Sequence, residues 1–140
     1  MLIPEKYITS ITERLAFYTQ LDDLENEETL KEFTKNLADR FGPIPGRVQQ
    51  LINSVRLRWK AENLGFEKLV LKERALRGTF ISKPDSPFYQ SEIFGQIIQF
   101  VTKNPGKCSM KEKGTKLMLR FENVPDVETA LSLLESLVQS

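Results

Sequence analysis

Apolar side chains recur at helical spacing from the start of the chain. Ile8, Ile11, Leu15 and Tyr18 follow Pro4, a favoured first-turn residue, and predict a helix over residues 5–20. After an acidic stretch over residues 22–28, with Asn26 placed as an N-cap, Leu30, Phe33, Leu37 and Phe41 form a second stripe that Gly42-Pro43 ends. Pro45 opens a third helix. Its Val48, Leu51, Ile52, Val55 and Trp59 share one face until Gly65 supplies a left-handed stop. Short connections between successive helices predict an antiparallel bundle.

From Phe66 the period changes. Leu69-Val70-Leu71 and Thr79-Phe80-Ile81 are β-favouring runs, and the segment 73–78 between them is expected to form the loop of a hairpin. Ser86 is expected to cap a helix starting at Pro87, with Ile93, Phe94, Ile97, Ile98 and Val101 on its buried face and Asn104-Pro105-Gly106 as its stop. A second hairpin follows, 107–112 and 115–122 around Lys113-Gly114. Asp126 then caps a last helix through Val127, Leu131, Leu134 and Leu137. The fold class is therefore α+β: an N-terminal three-helix segment, then one antiparallel sheet from two hairpins, covered on one face by two further helices. The whole chain, 1–140, reads as a single domain, with a helical part over 1–65 and a hairpin-helix-hairpin-helix part over 66–140.

Composition narrows the chemistry. With no histidine among 140 residues, the commonest general base and zinc ligand is missing, and so is every Ser-His-Asp or Cys-His nucleophile pair. The single cysteine, Cys108, permits no internal disulfide and suits a reducing compartment. Its apolar pattern and lack of a partner base favour a small hydrophobe over a reactive thiol. The longest apolar run, Leu15-Ala16-Phe17-Tyr18, is far short of the ~20 residues of a membrane helix. Twenty basic against nineteen acidic side chains leave a formal charge of +1. The split is uneven: residues 1–40 carry 9 acidic and 5 basic groups, the remainder 10 and 15.

Several local patterns invite a functional reading. Gly106-Lys107-Cys108 resembles the end of a phosphate-binding loop but lacks the earlier glycine and the hydroxyl after the lysine, so a helix stop and strand entry is expected. Asp22-Asp23 and Glu27-Glu28 could suggest a hard-metal site. Adjacent carboxylates diverge, however, and at a helix start they meet the dipole favourably. Arg56, Arg58, Trp59 and Lys60 interleave base and aromatic, and Lys103, Lys107, Lys111, Lys113, Lys116 and Arg120 crowd the second hairpin. Against a nucleic-acid surface stand the placement of Trp59 on the apolar stripe and the use of lysines to guard strand edges.

Asp39 is more informative. A carboxylate in the last turn of a helix meets the negative end of the dipole, at about 0.3–1 kcal/mol, so a compensating partner is expected. That partner is either internal, Lys35 or the free amides at Gly46 and Arg47, or external. In the second case Asn36, Asp39 and Arg40 form one outward strip at i, i+3 and i+4 for another domain. Taken alone, the residues favour the internal account.

Leu2-Ile3-Pro4 with Tyr7-Ile8, Glu13-Arg14-Leu15-Ala16-Phe17-Tyr18, Asp39-Arg40-Phe41-Gly42-Pro43-Ile44-Pro45, and Arg56-Leu57-Arg58 with Leu64-Gly65 resemble the C-terminal (TRCF) domain of bacterial transcription-repair coupling factor. The likeness is strong through residue 65 and weaker beyond, where the order of elements and the closing helix match. It implies a terminal piece of a large cytoplasmic DNA translocase, non-catalytic itself and without cofactor, the ATP and Mg sites lying in motor domains upstream, with Met1 an artificial start. It further implies docking on an N-terminal UvrB-like module of the same protein, masking the surface that recruits UvrA until RNA polymerase is engaged in transcription-coupled nucleotide excision repair. DNA and RNA polymerase would be partners only through the full-length protein, and no membrane is involved. Family docking implicates a Glu-x-x-Asp-Arg-Phe-Gly stretch whose Asp and Arg correspond to Asp39 and Arg40, and whose Glu is replaced by Asn36. The resemblance thus favours the outward strip. The alternative is an accessory nucleic-acid-binding domain using the basic second hairpin.

Overall fold

The computed structural model describes residues 2–138, which fall into two compact units divided between Arg56 and Leu57. Five helices and a four-stranded antiparallel sheet make the expected α+β class. Among the described residues no helix is long and apolar enough to cross a membrane.

The first unit holds α1 (Ile11–Asp23), α2 (Glu27–Phe41) and the first part of α3 (Gly46–Asn63). The first helix begins later than its apolar spacing predicts. Pro4 opens only one turn, closed by Tyr7 and Ile8 amides on the Pro4 carbonyl, and the helix starts at Ser10, whose side chain accepts from the Glu13 amide at 3.2 Å. Ser10-Ile11-Thr12-Glu13 is a capping-box sequence, and it outcompetes Pro4 as the start signal. The buried face turns with it. Ile11 and Leu15 are 64% and 60% exposed, whereas Arg14, Phe17, Tyr18 and Leu21 face inward. Asp22-Asp23 consequently end α1 and do not start a helix, while Glu27-Glu28 do start α2.

The second helix matches its expectation. Asn26 accepts from the Thr29 amide at 2.8 Å, Leu30, Phe33 and Leu37 are buried, and Gly42 takes φ 91° just past the end. Glu13 near the start of α1 meets Arg40 near the end of α2, and Glu27 at the start of α2 meets Arg56 of α3, so successive helices run antiparallel.

The second unit contains β1 (Phe66–Lys72), β2 (Ala75–Phe80), α4 (Glu92–Lys103), β3 (Cys108–Lys113), β4 (Lys116–Phe121) and α5 (Val127–Leu137), with sheet order β1-β2-β4-β3. The first hairpin is tighter than expected. Its turn is only Glu73-Arg74, at φ 53° and 61°, and Gly78 lies within β2, not in a loop. A Cβ on Gly78 would come 2.3 Å from Phe66 Cε1, so the glycine makes room for the Phe66 ring, which stacks on Phe80 at 4.4 Å. The second hairpin turns on Gly114-Thr115, with Lys113 opposite Lys116.

Ser86 and Pro87 start only a single 3-10 turn, Pro87–Gln90, and α4 is capped five positions past Ser86 by Ser91, whose side chain accepts from the Phe94 amide at 3.2 Å. Ile97 is buried, but Ile93 and Ile98 are 37% and 38% exposed, because Phe94, Phe100 and Val101 take the inward positions. The core packs α4, α5 and Leu57, Ala61 and Leu64 of α3 against one sheet face, through Leu76, Phe80, Leu119 and Phe121. Asp126 caps α5 as expected.

Candidate functional site

The strip Asn36, Asp39 and Arg40 is held by aromatic packing beneath the end of α2. Phe17 meets Phe33 and Phe41 edge-on, each at 5.8 Å between ring centroids, and Tyr7 lies 5.8 Å from Phe41. The Tyr7 hydroxyl donates to the Gly42 carbonyl at 2.8 Å, satisfying an acceptor where the helix runs out of amide donors. The chain before α1 is fastened in turn. Arg14 donates to the Ile8 carbonyl at 2.7 Å and to Thr9, and the Ile3 amide donates to the Tyr18 hydroxyl. The Glu-Arg-Leu-Ala-Phe-Tyr motif therefore braces the α2 end, with Leu15 and Ala16 the members that face solvent.

All three strip residues are exposed. The Arg40 guanidinium bonds Glu13 Oε1 at 2.5 Å and lies 4.8 Å from the Phe41 ring centroid, with its side chain still 58% exposed. A guanidinium has five N–H donors, so one carboxylate oxygen leaves several for an outside acceptor. Glu13 belongs to the site although its sequence position did not single it out; only a contact 27 residues away in the chain brings it there. Asp39 makes no hydrogen bond or ion pair with a described residue: Lys35, Gly46 and Arg47 do not engage it. Asn36 likewise presents its amide to solvent.

The other candidates resolve differently. Arg56 is engaged through Nε by both Glu27 oxygens, at 2.6 and 3.0 Å, and Arg58, Trp59 and Lys60 are each half-buried; Trp59 is not part of the core, where Leu57 takes the inward place. Gly106-Lys107 forms the turn between α4 and β3, whose Lys107 and Cys108 amides donate to the Asn104 carbonyl. Cys108 is buried, and desolvation pushes its thiol up despite the opposing pull of Lys107. No group of carboxylates and cysteine among the described residues is arranged to hold a metal. An open hollow of about 720 Å³ lies between α4 and the end of α5, lined by Glu92, Gln96, Gln99, Lys103, Asn104 and Ser136.

A family model described as the TRCF domain matches residues 1–91. The transcription-repair-coupling factor of Escherichia coli (strain K12) is 36% identical over 73 residues, 52% of this chain and 6% of that protein. That of Borreliella burgdorferi is 27% identical over 127 residues, 90% of this chain and 11% of that protein. The chain thus spans only a small fraction of the length of these relatives. A crystal structure of the C-terminal domain of transcription-repair coupling factor superposes with a TM-score of 0.75 at 18% identity, covering 97% of this chain and 85% of that one.

Proposed function

Because the chain belongs to the TRCF domain family, the C-terminal region of transcription-repair coupling factors, we propose that it is a non-catalytic docking domain that restrains its own full-length protein. The strip Asn36, Asp39 and Arg40 grips the N-terminal UvrB-like module and covers the surface that recruits UvrA. Engagement of RNA polymerase releases it during transcription-coupled excision repair in the cytoplasm. One observation carries this reading: Asp39 is solvent-facing and has no partner among the described residues in the last turn of α2, where its charge opposes the helix dipole. A docked guanidinium or ammonium on the partner supplies the missing compensation.

Polar contacts suit a switch. Tethering raises the effective concentration of the two modules to the millimolar range for short linkers, so individually weak contacts hold the closed state. A competing partner that binds only the open state shifts the population. Charged groups also remain solvated when the strip is open, which an apolar interface would not. Asn36 offers uncharged hydrogen bonding where the family pattern has a carboxylate, so Asp39 and Arg40 carry the electrostatic part.

Titration of the chain against the separately supplied N-terminal module, by calorimetry at low and high salt, tests the proposal. Salt-sensitive binding that is lost in the Asp39→Ala plus Arg40→Ala variant is the expected result. Undetectable association at millimolar concentration, or equal affinity of the double variant, overturns it.

A further inference from the structure

The sheet of the second unit has two faces of opposite character. Leu69, Leu71, Leu76, Phe80, Leu119 and Phe121 face the helices. The alternation of strands then fixes what lies on the other side. Arg77 on β2 and Lys116 and Arg120 on β4 occupy the two inner strands; Lys68 and Lys72 flank them on β1, and Lys111 and Lys113 on β3. All seven of these cations are exposed. The carboxylates nearby are few: Glu73 lies in the exposed turn between β1 and β2, and two others are engaged. Glu122, just past β4, bonds Arg120 at 2.5 Å, and Glu67, in the bulge of β1, accepts from the Ser82 amide and hydroxyl at 2.9 and 2.8 Å. Glu112 alternates to the helix side with Cys108 and Met110.

Guarding of strand edges accounts for lysines on β1 and β3, but the inner strands are hydrogen-bonded on both sides and have no edge to guard. Moreover, Arg77 sits directly opposite Arg120 and Lys113 directly opposite Lys116, arrangements that destabilise an antiparallel pair. The face is shallow. A hollow of about 330 Å³ on it is lined by Arg77, Ser109, Lys111, Met118, Leu119 and Arg120. Rows of cations two residues apart along a strand, about 6.8 Å, and a strand spacing of about 4.8 Å present a charged grid with no enclosed pocket for a small anion.

We infer that this open sheet face binds the phosphodiester backbone of duplex DNA, without sequence preference. The partner follows from the chemistry: single-sign charge spread over a flat surface matches a continuous polyanion. The strand residues on this face include no aromatic side chain, so base stacking of the kind single strands require is absent. The surface lies in a different unit from the strip on α2 and the inference stands independently of the docking proposal.

Fluorescence anisotropy of a labelled random-sequence 20-base-pair duplex with the whole chain tests it. If about four cations reach phosphates together, log affinity falls against log salt with a slope of about −3.6, roughly 150-fold between 50 and 200 mM. In Lys111→Gln plus Lys113→Gln plus Lys116→Gln the slope is expected to flatten by about 2.7. Arg77→Gln plus Arg120→Gln, which also relieves the facing arginines, provides a second route should the first variant fold poorly, with an expected flattening of about 1.8. Lys31→Gln plus Lys35→Gln on α2 leaves binding unchanged, as does Asp39→Ala plus Arg40→Ala. No duplex binding at 50 mM salt, or binding that the sheet variants do not weaken, overturns the inference. So does polyglutamate binding as tightly as the duplex, which would assign the face to an acidic protein.

Discussion

Replacing Asp39 with Asn should stabilise the domain while weakening its docking. The side chain lies two residues before the end of α2 and has no partner among the described residues. Two residues of rise plus the side-chain reach place the carboxylate about 6 Å from the half negative charge of the helix end. At an effective dielectric between about 80 and 40, the repulsion is roughly 0.3–0.7 kcal/mol. Asn keeps the size and has similar helix propensity, so removing the charge should raise the melting temperature by roughly 1–4 °C. The control on the same helix has the opposite sign: Glu28, in the first turn, meets the positive end of the dipole, and Glu28→Gln should lower stability by a comparable amount. Both differences should shrink in 0.5 M salt, where the Debye length is about 4 Å. Thermal melts followed by circular dichroism at low and high salt read all three quantities. A drop in melting temperature for Asp39→Asn would mean that the carboxylate has an internal structural task, and the argument for an external partner would fail.

Three further outcomes follow from the packing and capping. Gly78→Ala drives a Cβ into the Phe66 ring and should destabilise by about 1–3 kcal/mol in chemical denaturation; combined with Phe66→Leu, the loss should be less than additive. Tyr7→Phe removes the hydroxyl that serves the Gly42 carbonyl and should lose about 1 kcal/mol, read by the same method. Asp126 accepts from the Thr129 hydroxyl and amide, which hold its carboxyl below the usual range. Its contribution is therefore complete above the unfolded value of about 3.9 and disappears as pH falls through the lower folded value. Melts between pH 2 and 6 should show a smaller acid loss for Asp126→Asn than for the parent.

Helices whose caps and apolar stripes agree were legible in the sequence: α2, from Asn26 to Gly42, and α5, from Asp126, have the ends their residues specify. Where start signals compete, the longer helix opens on the later capping serine, although Ser86 too accepts an amide, from Phe88 at 3.3 Å. Ser10 prevails over Pro4, and Ser91 over Pro87, and each choice turns apolar residues counted from the wrong start toward solvent. The tight first hairpin was hidden because Gly78 resembles a loop residue until the Phe66 ring is seen over it. The exposed strip could be located from spacing within one helix. Its link to Glu13 and the union of two hairpins into one charged face depend on contacts far apart in the chain, which periodicity does not encode.

The solitary thiol of Cys108 gives the second unit a chemical clock. It is only 5% exposed beneath the sheet, and its raised ionisation further suppresses attack. Modification by an aromatic disulfide reagent must therefore await opening of the β3 segment, so the labelling rate counts those excursions directly. Anything that rigidifies the sheet from outside will slow that clock, and the protein needs no engineered probe to report it.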